Sequence, residues 1–104
     1  MPAIVVLTTV PSLRAAKLLA KSLVTKKIAA CVSLRGDFLS YYRWSGKLEC
    51  TREAMLIVKT TLKNFPKVRR LIETSHNYTV PEILALPVKR GSAPYLKWIQ
   101  ESVQ

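Results

Sequence analysis

The chain has 104 residues, 49% of them hydrophobic and 22% charged, with only three glycines and six prolines. That length and balance fit one folded domain and exclude a disordered or low-complexity chain. Seventeen Lys and Arg against six Asp and Glu give a net charge of +11, an excess that attracts nucleic acid, phosphates or acidic surfaces without choosing among them.

Ala3 to Thr9 (AIVVLTT) is a compact β-branched run closed by Val10-Pro11, and it reads as a strand buried on both faces. No basic segment precedes it and no small-residue cleavage site follows, so it is a first strand rather than a signal peptide. Ser12 is placed to cap a helix from about Leu13. In that helix Leu13, Ala16, Leu19, Ala20, Leu23 and Val24 recur at helical spacing, while Arg14, Lys17 and Lys21 form a basic stripe. Ile28 to Leu34 reads as the second strand, with Gly36-Asp37 marking a turn or irregularity. Leu39 to Trp44 and Lys47 to Glu49 flank Ser45-Gly46, as the arms of a hairpin do. Ala54 to Thr61 is a further buried strand.

Asn64 is placed to cap a second helix, with Pro66 tolerated in its first turn. Phe65, Val68, Leu71 and Ile72 supply its apolar face, and Lys63, Lys67 and Arg70 a second basic stripe. The helix is expected to stop near His76-Asn77. Glu82 to Val88 reads as a strand whose Pro87 suits a sheet edge. Ser92 is placed to cap a last helix packed through Tyr95, Leu96, Ile99 and Val103. The order β-α-β-β-α-β plus a terminal helix is the ferredoxin-like α+β plan, an antiparallel sheet with helices on one face. No apolar stretch approaches the roughly 20 residues of a membrane span. Cys31 and Cys50 lack CxxC spacing, so neither a disulfide framework nor a zinc knuckle is indicated, and a cytoplasmic location is expected.

Six segments, in order from Ile4 to Ser102, carry a family resemblance: VVLTTVPS, LVTKKIAACVSL, SYYRWSGKLE, LIVKTT, HNYTVPEILALPV and YLKWIQES. Together they resemble the CutA family of divalent-cation tolerance proteins. The resemblance implies a ferredoxin-like fold, a tight homotrimer with hairpins and sheet edges exchanged, and kinship of shape with the PII signalling proteins. It also implies a role in tolerance of copper or another divalent cation, without turnover. The aromatic hairpin supports the trimer independently: Tyr41, Tyr42 and Trp44 would each bury on the order of 150–250 Å² against a neighbour.

His76 is the sole histidine. Neutral imidazole is a good ligand for copper and zinc, and this histidine matches the family's His-x-Tyr motif; the bland alternative is a histidine that closes the helix end. Some members carry a cysteine where this chain has Thr8 and a further histidine where it has Ser75, so one histidine would need donors from elsewhere in the chain or from neighbouring subunits. Trp44, Lys59, Tyr78 and Glu82 are candidate walls and charges of an inter-subunit ligand cleft, against a structural ion pair as the simpler reading. Cys31, inside IAACV, reads as a buried inert thiol, and Cys50, between Lys47 and Arg52, as the more reactive one.

Two other classes compete. A basic ferredoxin-like module could bind nucleic acid or other polyanions without sequence preference, but the RNP-type pattern is absent and the basic stripes lie on helices rather than the sheet. An enzyme is disfavoured: no Gly-rich phosphate loop precedes the first helix, and no nucleophile accompanies His76.

Overall fold

The computed structural model describes residues 2–104. Its elements are β1 (Ala3–Val10), α1 (Leu13–Thr25), β2 (Cys31–Trp44), β3 (Lys47–Thr61), a 3₁₀ turn (Leu62–Asn64), α2 (Phe65–Thr74), β4 (Leu84–Pro87) and α3 (Ala93–Ser102). The strands form one antiparallel sheet in the order β2-β3-β1-β4, the ferredoxin-like plan expected. Pro87 sits on the edge strand, where a missing N–H costs no ladder bond.

Alternation along the strands divides the sheet into two faces. One presents Ile4, Val6, Val10, Ala54, Leu56 and Val58, all buried. Against it lie Ala16, Leu19 and Leu23 of α1 and Val68 and Ile72 of α2, forming the main core. Leu13 and Val24, at the ends of α1, stay exposed. Leu23, Leu56 and Ile72 are fully buried, and truncating any one to alanine would cost about 2–5 kcal/mol. The Arg14, Lys17 and Lys21 stripe and the Lys63, Lys67 and Arg70 stripe point to solvent.

The helix ends have local causes. Ser12 caps α1 as its sequence suggests, accepting a 3.1 Å hydrogen bond from the Ala15 N–H. At the other end Lys27 takes φ +57°, Ile28 N–H reaches back to Leu23 O and Lys27 N–H to Val24 O. This is a Schellman closure, usually built on glycine. It consumes Ile28 and Ala29, whose N–H groups both bond Leu23 O; the second strand therefore starts at Cys31 rather than at Ile28. Asn64 and Ser92 occupy N-cap positions but make no side-chain cap bond. The buried Asn64 amide instead donates to Thr61 Oγ1 at 3.3 Å. The second helix ends at Thr74, short of His76, because Ser75 closes it through Ile72 O.

The two segments on each arm of the hairpin are continuous. β2 and β3 each run through the Gly36-Asp37 region, which is a bulge: Arg35 faces Met55, but Phe38 faces Glu53. Asp37 holds φ +57° there. One extra residue reverses the facing of everything beyond it. Before the bulge, Cys31, Ser33 and Arg35 share the second sheet face with Met55, Ile57 and Lys59. After it, Ser40, Tyr42 and Trp44 share that face with Thr51 and Glu53.

The part of this second face that spans β1, β3 and β4 carries an apolar strip that is open in a single chain, with Lys59 beside it. Leu7 of β1 lies between Ile57 of β3 and Leu84 of β4, and Val5 between Lys59 of β3 and Leu86 of β4. Ile57, Leu84 and Leu86 are exposed. Helices on one face only were expected, yet α3 crosses to this side. Ile99 packs on Ala3 and Ala30 with Leu96 and Val103, and Ala3 alternates with the core-facing Ile4. α3 covers only that corner. The long hairpin beyond it carries exposed Phe38, Leu39, Tyr41, Tyr42, Trp44 and Leu48 and stretches the molecule to 44 × 26 × 22 Å.

Candidate functional site

A cleft of about 660 Å³ opens on the second sheet face at the root of the hairpin, walled by Tyr41, Tyr42, Trp44 and Tyr78 with Glu53 and Glu82. The bulge places Tyr42 and Trp44 here, and the loop between α2 and β4 delivers Tyr78 and Glu82. The Tyr78 hydroxyl donates a 2.8 Å hydrogen bond to Glu53 Oε2. Tyr42 Oη and Thr51 Oγ1 share a 2.7 Å bond that fixes the opposite wall.

The cleft shifts its own titrations. Burial, the hydrogen bond to Glu53 and the Glu53 charge push the Tyr78 phenol well above its ordinary range. Burial and the Glu53 charge raise the Glu82 carboxyl. No donor or cation is paired with Glu82 among the described residues.

His76 stands behind Tyr78, the two rings 4.7 Å apart and edge-on. The Tyr78 N–H donates to His76 Nδ1 at 3.2 Å. In neutral imidazole one nitrogen accepts and the other carries the proton. With Nδ1 accepting, Nε2 holds the hydrogen, and Nε2 is buried without a hydrogen-bond partner among the described residues. Burial lowers the His76 pKa, opposed by Glu53. A metal at Nε2 needs that lone pair free, which this hydrogen bond opposes. Thr8 Oγ1 is buried and unbonded among the described residues, and Ser75 Oγ donates to Ile72 O. Among the described residues no group of three His, Cys, Asp or Glu side chains is positioned to hold a metal ion. The side chains of one chain therefore do not fit a metal centre at His76.

Of the sequence-derived site residues, Trp44, Tyr78 and Glu82 meet in the cleft. Lys59 does not join them within the chain. It lies on the same sheet face, six residues along β3 from Glu53, or about 20 Å by strand rise. Its Nζ donates to Ser33 Oγ at 2.7 Å and lies 3.9 Å from Cys31 Sγ. Cys31 is half-buried and Cys50 exposed, both as free thiols. Glu53, the acceptor at the centre of the site, is not among the sequence-derived site residues; its one signal is a charge directly before the apolar run Ala54 to Thr61. Its partner depends on a loop 25 residues away.

Residues 4–102 match the family described as CutA1 divalent ion tolerance protein. The chain belongs to that family. It is 46% identical over 98 residues to the divalent-cation tolerance protein CutA of Thermus thermophilus, covering 94% of this chain and 95% of that protein. It is 41% identical to the chloroplastic CutA of Arabidopsis thaliana, covering 99% of this chain but 57% of that protein. The solved structure of the Thermus thermophilus protein superposes with a TM-score of 0.94 at 44% identity, covering 98% and 99% of the two chains. The CutA1 structure from Oryza sativa gives 0.95 at 39% identity, covering 100% and 95%. An Archaeoglobus fulgidus relative is described as periplasmic. The family is named for tolerance of divalent ions rather than for a catalysed reaction.

Proposed function

We propose that this CutA-family chain acts as a homotrimer that binds a small ligand in the hairpin-root cleft without turning it over. The observation that carries the trimer is the open sheet face. Exposed Ile57, Leu84 and Leu86 with half-buried Val5 and Leu7 form an apolar strip beside Lys59 that a lone chain leaves partly in water, and exposed Leu39 and Leu48 on the other side of the hairpin add to the apolar surface. Such surfaces mark association, and cyclic assembly of identical chains would cover the face and the sheet edges together. Ile57→Glu tests this: a charge at the centre of the face should reduce the mass in light scattering to that of a monomer while leaving the chain folded. Unchanged mass would count against burial of this face.

Turnover finds no support in the site. The Tyr78 hydroxyl is committed to Glu53 Oε2, and among the described residues no serine or cysteine is hydrogen-bonded to His76 as a nucleophile would be. Copper or another divalent cation would meet, in one chain, a histidine whose Nδ1 already accepts a hydrogen bond, so tight binding there requires donors from a neighbouring subunit. A competition titration against a chelator, run beside His76→Ala, decides it: coincident curves exclude His76, and loss of a defined stoichiometry in the variant establishes it. Two free thiols, one of them exposed, favour the cytoplasm.

A second reading, non-specific polyanion binding, has its own support. α1 contains no acidic residue, and the only acid of α2, Glu73, is paired with Arg69 at 3.1 Å. The helical layer is thus almost uniformly positive. Retention on heparin should fall steeply with salt, and Lys17→Gln with Lys21→Gln should weaken it. Retention insensitive to both would end this reading.

A further inference from the structure

The charge of the cleft is opposite to that of the protein. The chain carries seventeen basic residues and six acidic ones. Of the acids, Asp37, Glu73 and Glu101 are paired with Arg52, Arg69 and Lys97. Glu53 and Glu82 both line the cleft, where no lysine or arginine does among the described residues of one chain. Placing two carboxylates in one part-buried pocket costs free energy that a cation in the pocket would recover. Four of the other lining residues are aromatic, beside small polar residues and Val80, and the faces of Trp and Tyr rings attract cations.

The cation suited to this lining is organic. A divalent metal ion prefers three or more oxygen, nitrogen or sulfur ligands in a fixed geometry, and the described residues place no such set together. An ammonium group needs less. It takes one carboxylate as hydrogen-bond acceptor and lets its carbon body lie on aromatic rings. Glu53 is already engaged by the Tyr78 hydroxyl at 2.8 Å, which holds it in place, whereas the Glu82 carboxyl has no such partner.

Resting on the cleft reading above, we infer that its ligand class is an organic ammonium ion, with Glu82 as the primary anchor, Glu53 as a second charge, and Trp44 and Tyr42 as the aromatic walls. The cleft volume of about 660 Å³ suits a small amine with an apolar body.

Three probes with one body and different charge test this: phenethylamine, protonated at neutral pH; 2-phenylethanol; and phenylacetate. The readout is Trp44 emission in a Trp98→Phe background, which leaves Trp44 as the only indole. The amine should bind at least about tenfold more tightly than the alcohol, with phenylacetate weakest. Glu82→Gln should remove roughly that tenfold advantage while leaving the alcohol unchanged. Equal binding of all three, or preference for phenylacetate, would overturn the ammonium class while sustaining the cleft as a ligand site. No response of Trp44 to any probe would overturn both.

Discussion

The Tyr78 hydroxyl donates a 2.8 Å hydrogen bond to Glu53 Oε2, tying the loop after the second helix to the middle of the longest strand. The same tyrosine donates its backbone N–H to His76 Nδ1. One residue therefore fixes both the acid in the cleft and the imidazole behind it. Tyr78→Phe keeps the ring and removes only the hydroxyl. Loss of a part-buried bond to a carboxylate should cost about 1–2 kcal/mol in denaturant unfolding. It should also loosen the Glu82 loop, seen as faster amide exchange from Asn77 to Glu82. Unchanged stability and exchange would mean that the bond does not hold the loop.

Glu53 should set the titration of its neighbours in one direction. Its negative charge favours the protonated form of both His76 and Glu82. Glu53→Gln should therefore lower both pKa values, moving His76 further below 6.5 and Glu82 back toward 4.5. NMR titration of the single histidine and of the Glu82 carboxyl reads this directly. Opposite movement of the two would contradict the shared cause.

The same shifts have stability signs. The depressed His76 contributes stability that is present above 6.5 and is lost as pH falls from there through its folded value. The raised Glu82 contributes stability that is present below 4.5 and is lost as pH rises through its folded value. His76→Asn should therefore flatten the loss on acidification just below pH 6.5. A variant with the same slope as the parent would show that the imidazole titrates alike in folded and unfolded chains.

Lys27 closes the first helix at φ +57°, a conformation that costs a side-chain-bearing residue about 1 kcal/mol and glycine little. Lys27→Gly should stabilise the protein by roughly 0.5–1 kcal/mol, offset in part by the greater freedom of glycine in the unfolded chain. Thermal unfolding reads the sign. A loss of more than about 1 kcal/mol would mean that the lysine side chain makes a contact that matters more than the backbone.

Much of this fold is legible from periodicity. The apolar spacing of Ala16, Leu19 and Leu23, and of Val68 and Ile72, marks the faces that pack on the sheet, and Pro87 marks an edge. What periodicity hides is long-range or backbone-borne. Gly36-Asp37 signals an irregularity, yet a turn and a bulge have similar residue chemistry, and only the cross-strand register shows that one extra residue turns Trp44 to the sheet face that carries Glu53. The helix end at Lys27 lacks the glycine that normally announces it. The third helix reads as amphipathic, but nothing in its pattern says which sheet face it covers. Tyr78 and Trp44 were visible as candidates through the family resemblance. The meeting of Tyr78 with Glu53 depends on folding a loop onto a strand 25 residues earlier.

Sedimentation equilibrium at moderate salt, across a dilution series, tests the central claim that the open sheet face is buried between identical chains. A trimer of 11.7 kDa subunits predicts a mass of about 35 kDa that holds down to low concentration. A mass of 11.7 kDa throughout would contradict it, leaving Ile57, Leu84 and Leu86 as a stable solvent-facing surface.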